Sequence, residues 1–126
     1  MTILKTYARL WADDLDTALP LLRTLTGREP DLRLGFEAVE LAAIGDFLVI
    51  AGAPEARARY ANASATVVVS DLDGAARDLA ADGGEVTVPE AAGPTGRFLY
   101  ARHRGGPEVE YVEWTPDLVR RIADGG

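Results

Sequence analysis

The sequence predicts an α+β fold: two tandem β-α-β-β-β modules forming a curved, mostly antiparallel eight-stranded sheet with a concave cleft. Three observations predict it. Asp14-Leu15-Asp16 recurs as Asp71-Leu72-Asp73, and at the same spacing Ala18 answers Ala75, Leu22 answers Leu79 and Gly27 answers Gly84. A strand-like run precedes each copy, Lys5 to Ala12 and Ser64 to Ser70. Three further short β-like runs follow each copy.

The elements follow in order. Strand one ends at Asp13-Asp14, where an Asp carboxylate can accept the free N–H groups of a new helix; Pro20 lies near its first turn and Gly27 fits its stop. Strands are expected at Leu32 to Glu37, Val39 to Ile44 and Phe47 to Ala51, with Gly45-Asp46 as the tight turn between the last two. Ala53 to Asn62 reads as a polar linker, and Arg57-Ala58-Arg59-Tyr60 within it as a solvated face or a flap over the cleft. The second module repeats the plan: a helix from Asp71 to Gly84, then strands at Glu85 to Val88, Arg97 to Arg102 and Glu108 to Trp114, the last pair joined at Gly105-Gly106. Thr115-Pro116-Asp117 starts a short helix, Leu118 to Ala123. The chain is thus expected to be one domain, 1–126, with modules at about 3–52 and 63–114, a linker at 53–62 and a terminal helix at 116–123.

A chain of 126 residues suffices for one domain with a real core. Thirteen Lys and Arg against 20 Asp and Glu give a net charge of -7, which argues against nucleic acid as a partner and against an anionic membrane surface. With no Cys, disulfides and thiolate metal sites are excluded. Met1-Thr2-Ile3-Leu4-Lys5 does not read as a leader, and no apolar run approaches spanning length, so a cytoplasmic location is expected. No phosphate-binding glycine motif is present; Gly93-Pro94-Thr95-Gly96 is a turn.

The paired stretches Ala12-Asp13-Asp14-Leu15-Asp16 and Val69-Ser70-Asp71-Leu72-Asp73, with the close Gly96-Arg97-Phe98 through Glu108-Val109-Glu110-Tyr111, resemble the vicinal oxygen chelate superfamily of glyoxalases, extradiol dioxygenases and bleomycin-resistance proteins. The resemblance implies a divalent metal held by one residue from the first strand of each module and one from the last, usually His or Glu. Carried over by register, those positions are Tyr7, Ser64, about Val49, and Glu110. Only Glu110 is an ordinary ligand type, and a hard cation needs several converging donors. No metal or other cofactor is therefore expected, and no catalytic residue is assigned.

Alternation along strand one puts Tyr7, Arg9 and Trp11 on one face and Thr6, Ala8, Leu10 and Ala12 on the other. The large amphipathic set is expected to face the cleft. Ser64, Thr66 and Val68 form the matching face of the second module, and Glu110 and Trp114 that of the last strand. Phe36, Phe47 and Tyr100 are candidate walls, with Phe98 and Tyr60 as further ones. The sole histidine, His103, is expected in an exposed turn. The ligand-binding candidates are thus Tyr7, Arg9, Trp11, Phe36, Phe47, Ser64, Thr66, Tyr100, Glu110 and Trp114. The resemblance implies sequestration of a small aromatic antibiotic, of the bleomycin, mitomycin or enediyne kind, in the clefts of a homodimer. The alternative is a lyase, isomerase or dioxygenase acting through Glu110 or Tyr7.

Overall fold

The computed structural model describes residues 1–125, with side chains described through Ile122. β1 (Ile3–Ala12), α1 (Leu15–Thr26), β2 (Leu32–Phe36), β3 (Val39–Ile44) and β4 (Phe47–Ala51) make the first module. The linker holds α2 (Pro54–Arg57) and a 3-10 turn over Ala58–Tyr60. The second module is β5 (Ala63–Val69), α3 (Leu72–Ala81), β6 (Glu85–Gly93), β7 (Gly96–Arg102) and β8 (Glu108–Trp114), followed by α4 (Pro116–Gly125). The eight strands form one sheet in the order β2-β3-β4-β1-β5-β8-β7-β6.

The α+β architecture is the one the sequence predicts. The sheet is mixed: β1 runs parallel to β4 and β5 parallel to β8, and the other pairings are antiparallel. Strands β1 and β5 lie side by side at the centre, so each module begins beside the other. The final strand of each module returns alongside its own first strand. β6 is longer than the sequence pattern suggests, reaching Gly93, because irregular pairing between Val86 and Ala91 lets the strand continue past Pro89.

Two apolar layers lie under the helices on the convex face. Leu15, Leu19 and Leu22 of α1 pack on Ala42, Ile44, Val49 and Ala51. Leu72 and Ala75 of α3 pack on Val67, Val69, Leu99 and Tyr111. A third cluster fills the concave side: Tyr7, Leu32, Ala43, Val68, Val112 and Trp114 under Leu118 and Ile122 of α4. These two residues lie four apart on one helical face, so a short helix can bury both. α4 thus covers one end of the hollow. Among the described residues, no helix is long and apolar enough to cross a membrane.

Candidate functional site

Alternation along β1 buries Tyr7 and Arg9 on the concave side, while Thr6 and Ala8 are exposed and Leu10 and Ala12 pack beneath α1. Register then builds the site. Arg9 is paired with Leu48 across the parallel β1–β4 ladder, and Thr66 with Glu110 across β5–β8. Arg9 and Thr66 are separated by the same spacing as Asp14 and Asp71, so they are equivalent positions of the two modules.

The Arg9 side chain, 2% exposed, is the hub. Its Nε donates to Thr66 Oγ1 at 3.0 Å and its Nη1 to the Tyr60 carbonyl at 2.9 Å. Its Nη2 donates to Tyr100 Oη at 2.7 Å and Glu110 Oε1 at 2.9 Å. Thr66 in turn donates to Glu110 Oε1 at 2.8 Å. Four of the five guanidinium hydrogens are used, leaving one on Nη1. Among the described residues, no hydrogen bond reaches Glu110 Oε2. The guanidinium also lies 5.2 Å from the Tyr100 ring centroid. Burial, then the Glu110 charge, push the Tyr100 phenol up to about 12, with Arg9 opposing. It stays a neutral hydroxyl with a proton to offer.

Aromatic and aliphatic side chains wall this polar floor. Phe36 packs edge-on to Phe98 at 6.2 Å, Phe98 edge-on to Tyr100 at 6.3 Å, and Phe36 against Tyr60 at 6.4 Å. Val39, Leu41, Leu48 and Ile50 line the side formed by the first module, and Pro94 and Thr95 part of the other. The pocket contains about 480 Å3 of empty space, its mouth and the solvent in it included. A second chamber of about 710 Å3, open to solvent, lies beside it, between Glu37, Arg59, Asn62, Val88 and Glu108. Phe36, Tyr60, Phe98 and Tyr100 border both. Gly93 makes room at the rim, since a Cβ there would sit 3.2 Å from Phe98 and 3.6 Å from Phe36.

The structure brings together Arg9, Phe36, Thr66, Tyr100 and Glu110 of the candidates read from sequence. It puts the others elsewhere. Tyr7, fully buried, stacks on Trp114 at 5.7 Å beneath α4 rather than in the open pocket. Its hydroxyl is buried without a partner, and burial holds its pKa far above the ordinary phenol value. Trp11, 39% exposed, lines neither chamber, and Ser64 is exposed. Phe47 packs toward α1 on the convex face. Val49 does the same, so the concave position of β4 is Leu48, one residue earlier. A slip of one residue along a strand changes the face. His103 is half-buried and stacks on Tyr111, its Nε2 bonded to the Tyr111 hydroxyl.

Tyr60 and Phe98, read from sequence only as further walls, border both chambers. The aliphatic side was not foreseen; the alternation Val39-Glu40-Leu41 carried that signal for β3, and the unbroken apolar run of β4 carried none. The residues do not fit a divalent metal. A guanidinium fills the centre, Leu48 faces it from β4, and among the described residues no group of three His, Asp or Glu could hold an ion.

No protein-family model and no curated protein matches the chain. Among solved structures, an uncharacterized protein from Methanosarcina mazei is 36% identical over 91% of this chain and 95% of its own, with a TM-score of 0.83. The chain belongs to the same family as this archaeal protein. At 18% identity, methylmalonyl-CoA epimerase from Mycobacterium tuberculosis superposes with a TM-score of 0.69 over 94% of this chain and 93% of its own. A Streptomyces coelicolor methylmalonyl-CoA epimerase variant bound to 2-nitronate-propionyl-CoA is 16% identical, with a TM-score of 0.68 over 91% and 97%. At such identities the likeness is one of fold. It is the vicinal oxygen chelate fold, to which these epimerases belong.

Proposed function

We propose that this protein binds a small, planar aromatic molecule in the cleft above Arg9 and Glu110 and releases it unchanged, sequestering an antibiotic. The observation that carries the reading is the closed network of Arg9, Thr66, Tyr100 and Glu110 beneath Phe36, Tyr60 and Phe98. A guanidinium bonded on four of its five hydrogens serves as a fixed part of the floor. It keeps the Glu110 charge paired inside the fold. Apolar walls with a few converging polar atoms favour an uncharged or weakly cationic ring system that takes orientation from Glu110 Oε2 and the Tyr100 hydroxyl. A second copy of the chain closing the mouth is part of the proposal, as is a cytoplasmic setting.

The test is a panel of bleomycin-, mitomycin- and enediyne-type antibiotics, followed by equilibrium dialysis and mass spectrometry of the recovered compound. Binding of one of them, lost by at least about tenfold in Gly93→Val and recovered without chemical change, is the expected result. Recovery of a converted product would assign the protein to the enzymes. Both tryptophans lie outside the open pocket, so ligand signals report binding better than tryptophan emission.

A further inference from the structure

We infer that Glu110 is the specificity-determining residue of the cleft: it selects planar ligands that present an N–H donor at their leading edge, such as a carboxamide or a ring amine, and it rejects acids. This rests on the aromatic-ligand reading above and deepens it.

The two oxygens of Glu110 have different surroundings. Oε1 accepts from Arg9 Nη2 at 2.9 Å and from the Thr66 hydroxyl at 2.8 Å. Oε2 accepts from nothing among the described residues. Nor is it sealed in. The buried side-chain oxygens left without a partner are those of Tyr7 and Tyr60, and Glu110 keeps 16% of its side chain exposed. Glu110 helps to line the inner pocket, so an entering ligand reaches Oε2. A charged acceptor set among Phe36, Leu48, Ile50 and Phe98 takes an N–H bond more strongly than it would in open water. A ligand that covers Oε2 without donating removes its water and supplies no bond in exchange.

An acid finds no free cation there. The Arg9 guanidinium, 2% exposed, has one hydrogen left and already faces Glu110. In the outer chamber Arg59 is tied to Glu37 at 3.0 Å. Glu108 borders that chamber too. It lies two residues before Glu110 on β8, hence on the same face and roughly 6.5 Å along the strand. It accepts from Thr87 at 2.9 Å and makes no ion pair among the described residues. Two arginines and three glutamates thus line the two chambers, and the path to Oε2 disfavours anions.

The experiment uses three naphthalenes that differ at one substituent: naphthamide, acetonaphthone, in which a methyl replaces the amide nitrogen, and naphthoate. Each is measured by equilibrium dialysis against wild type, Glu110→Gln and Gly93→Val. Wild type is expected to bind naphthamide about tenfold more tightly than acetonaphthone, and naphthoate most weakly. Glu110→Gln is expected to lose the naphthamide preference, to bind acetonaphthone at least as well as wild type, and to gain affinity for naphthoate. The reason is that Arg9 and Thr66 both donate to the inner oxygen, so the amide keeps its oxygen there and turns its NH2 toward the pocket. A role confined to holding the fold would weaken all three probes alike. The wild-type order is read without any variant, and a thermal melt checks that Glu110→Gln is folded. Equal affinity for naphthamide and acetonaphthone in wild type, tightest binding of naphthoate, or a naphthamide preference that survives in folded Glu110→Gln overturns the inference. The cleft reading then stands, provided Gly93→Val blocks binding. If no probe binds wild type in a Gly93→Val-sensitive way, the aromatic-cleft reading falls and this inference with it.

Discussion

The two modules share a plan and divide the work. Module one supplies the cation and an aliphatic side: Arg9, then Val39, Leu41, Leu48 and Ile50. Module two supplies the acid, the phenol and the hydroxyl: Glu110, Tyr100 and Thr66. The equivalent positions Arg9 and Thr66 sit on neighbouring central strands and bond directly. Leu48 and Glu110 are paired with them in the two parallel ladders. A duplicated unit thus places four side chains around one point, and their chemistry then diverges. The helices differ too. Asp14 caps α1, accepting from Thr17 N at 2.7 Å, whereas Asp71 makes no such bond. Instead, Glu113 of β8 accepts from Leu72 N at 2.9 Å. The α1 cap is local in sequence, and that of α3 comes from a strand 41 residues away.

The largest expected effect breaks the bond between the modules. Arg9→Met leaves Glu110 unpaired in a site where its side chain is 16% exposed, and should cost about 3–5 kcal/mol in denaturant unfolding. The double change Arg9→Met/Glu110→Leu should recover much of that loss. A single variant within about 1 kcal/mol of wild type would mean that the network does not hold the modules together. Ile122→Ala, which opens the concave core under α4, should cost about 2 kcal/mol by the same measurement.

The phenol of module two gives the comparison a pH axis. Tyr100 has a folded pKa near 12, above the ordinary 10, so the folded state holds this proton more tightly than the unfolded chain. Its contribution is complete below pH 10 and is lost as pH rises toward 12, at a slope of up to about 1.4 kcal/mol per pH unit. Tyr7 acts in the same direction. Unfolding midpoints measured from pH 8 to 11 should therefore fall more steeply in wild type than in Tyr100→Phe. Smallest is the difference between the caps: Asp14→Ala should lower the melting temperature measurably, and Asp71→Ala should lower it less. Equal shifts would erase the contrast between the helices.

Much of this was legible in the chain. The repeat, the helix starts at Asp14 and Asp71, and the turn at Gly45-Asp46 are signals within a few residues. Alternation put Arg9 on the concave face, whereas Tyr100 was legible only as one candidate wall among several strand aromatics. Alternation could not distinguish Tyr7 from Arg9, since both lie on that face. Nor did it fix whether Val49 or Leu48 points inward, because a continuous apolar run such as Phe47 to Ala51 has no polar residue to mark a face.

Periodicity, capping and residue type are local properties, so the modules, their strands and helices, and the shortage of metal ligands can be read along the chain. Which part of the hollow stays open is settled by packing between elements far apart in the chain. α4 docks over Tyr7 and Trp114 and takes them into the core, while Arg9 reaches Glu110, 101 residues along the chain, and leaves the aromatic pocket beside them free. Those outcomes depend on contacts between distant residues, and it is the curl of the sheet that brings them together.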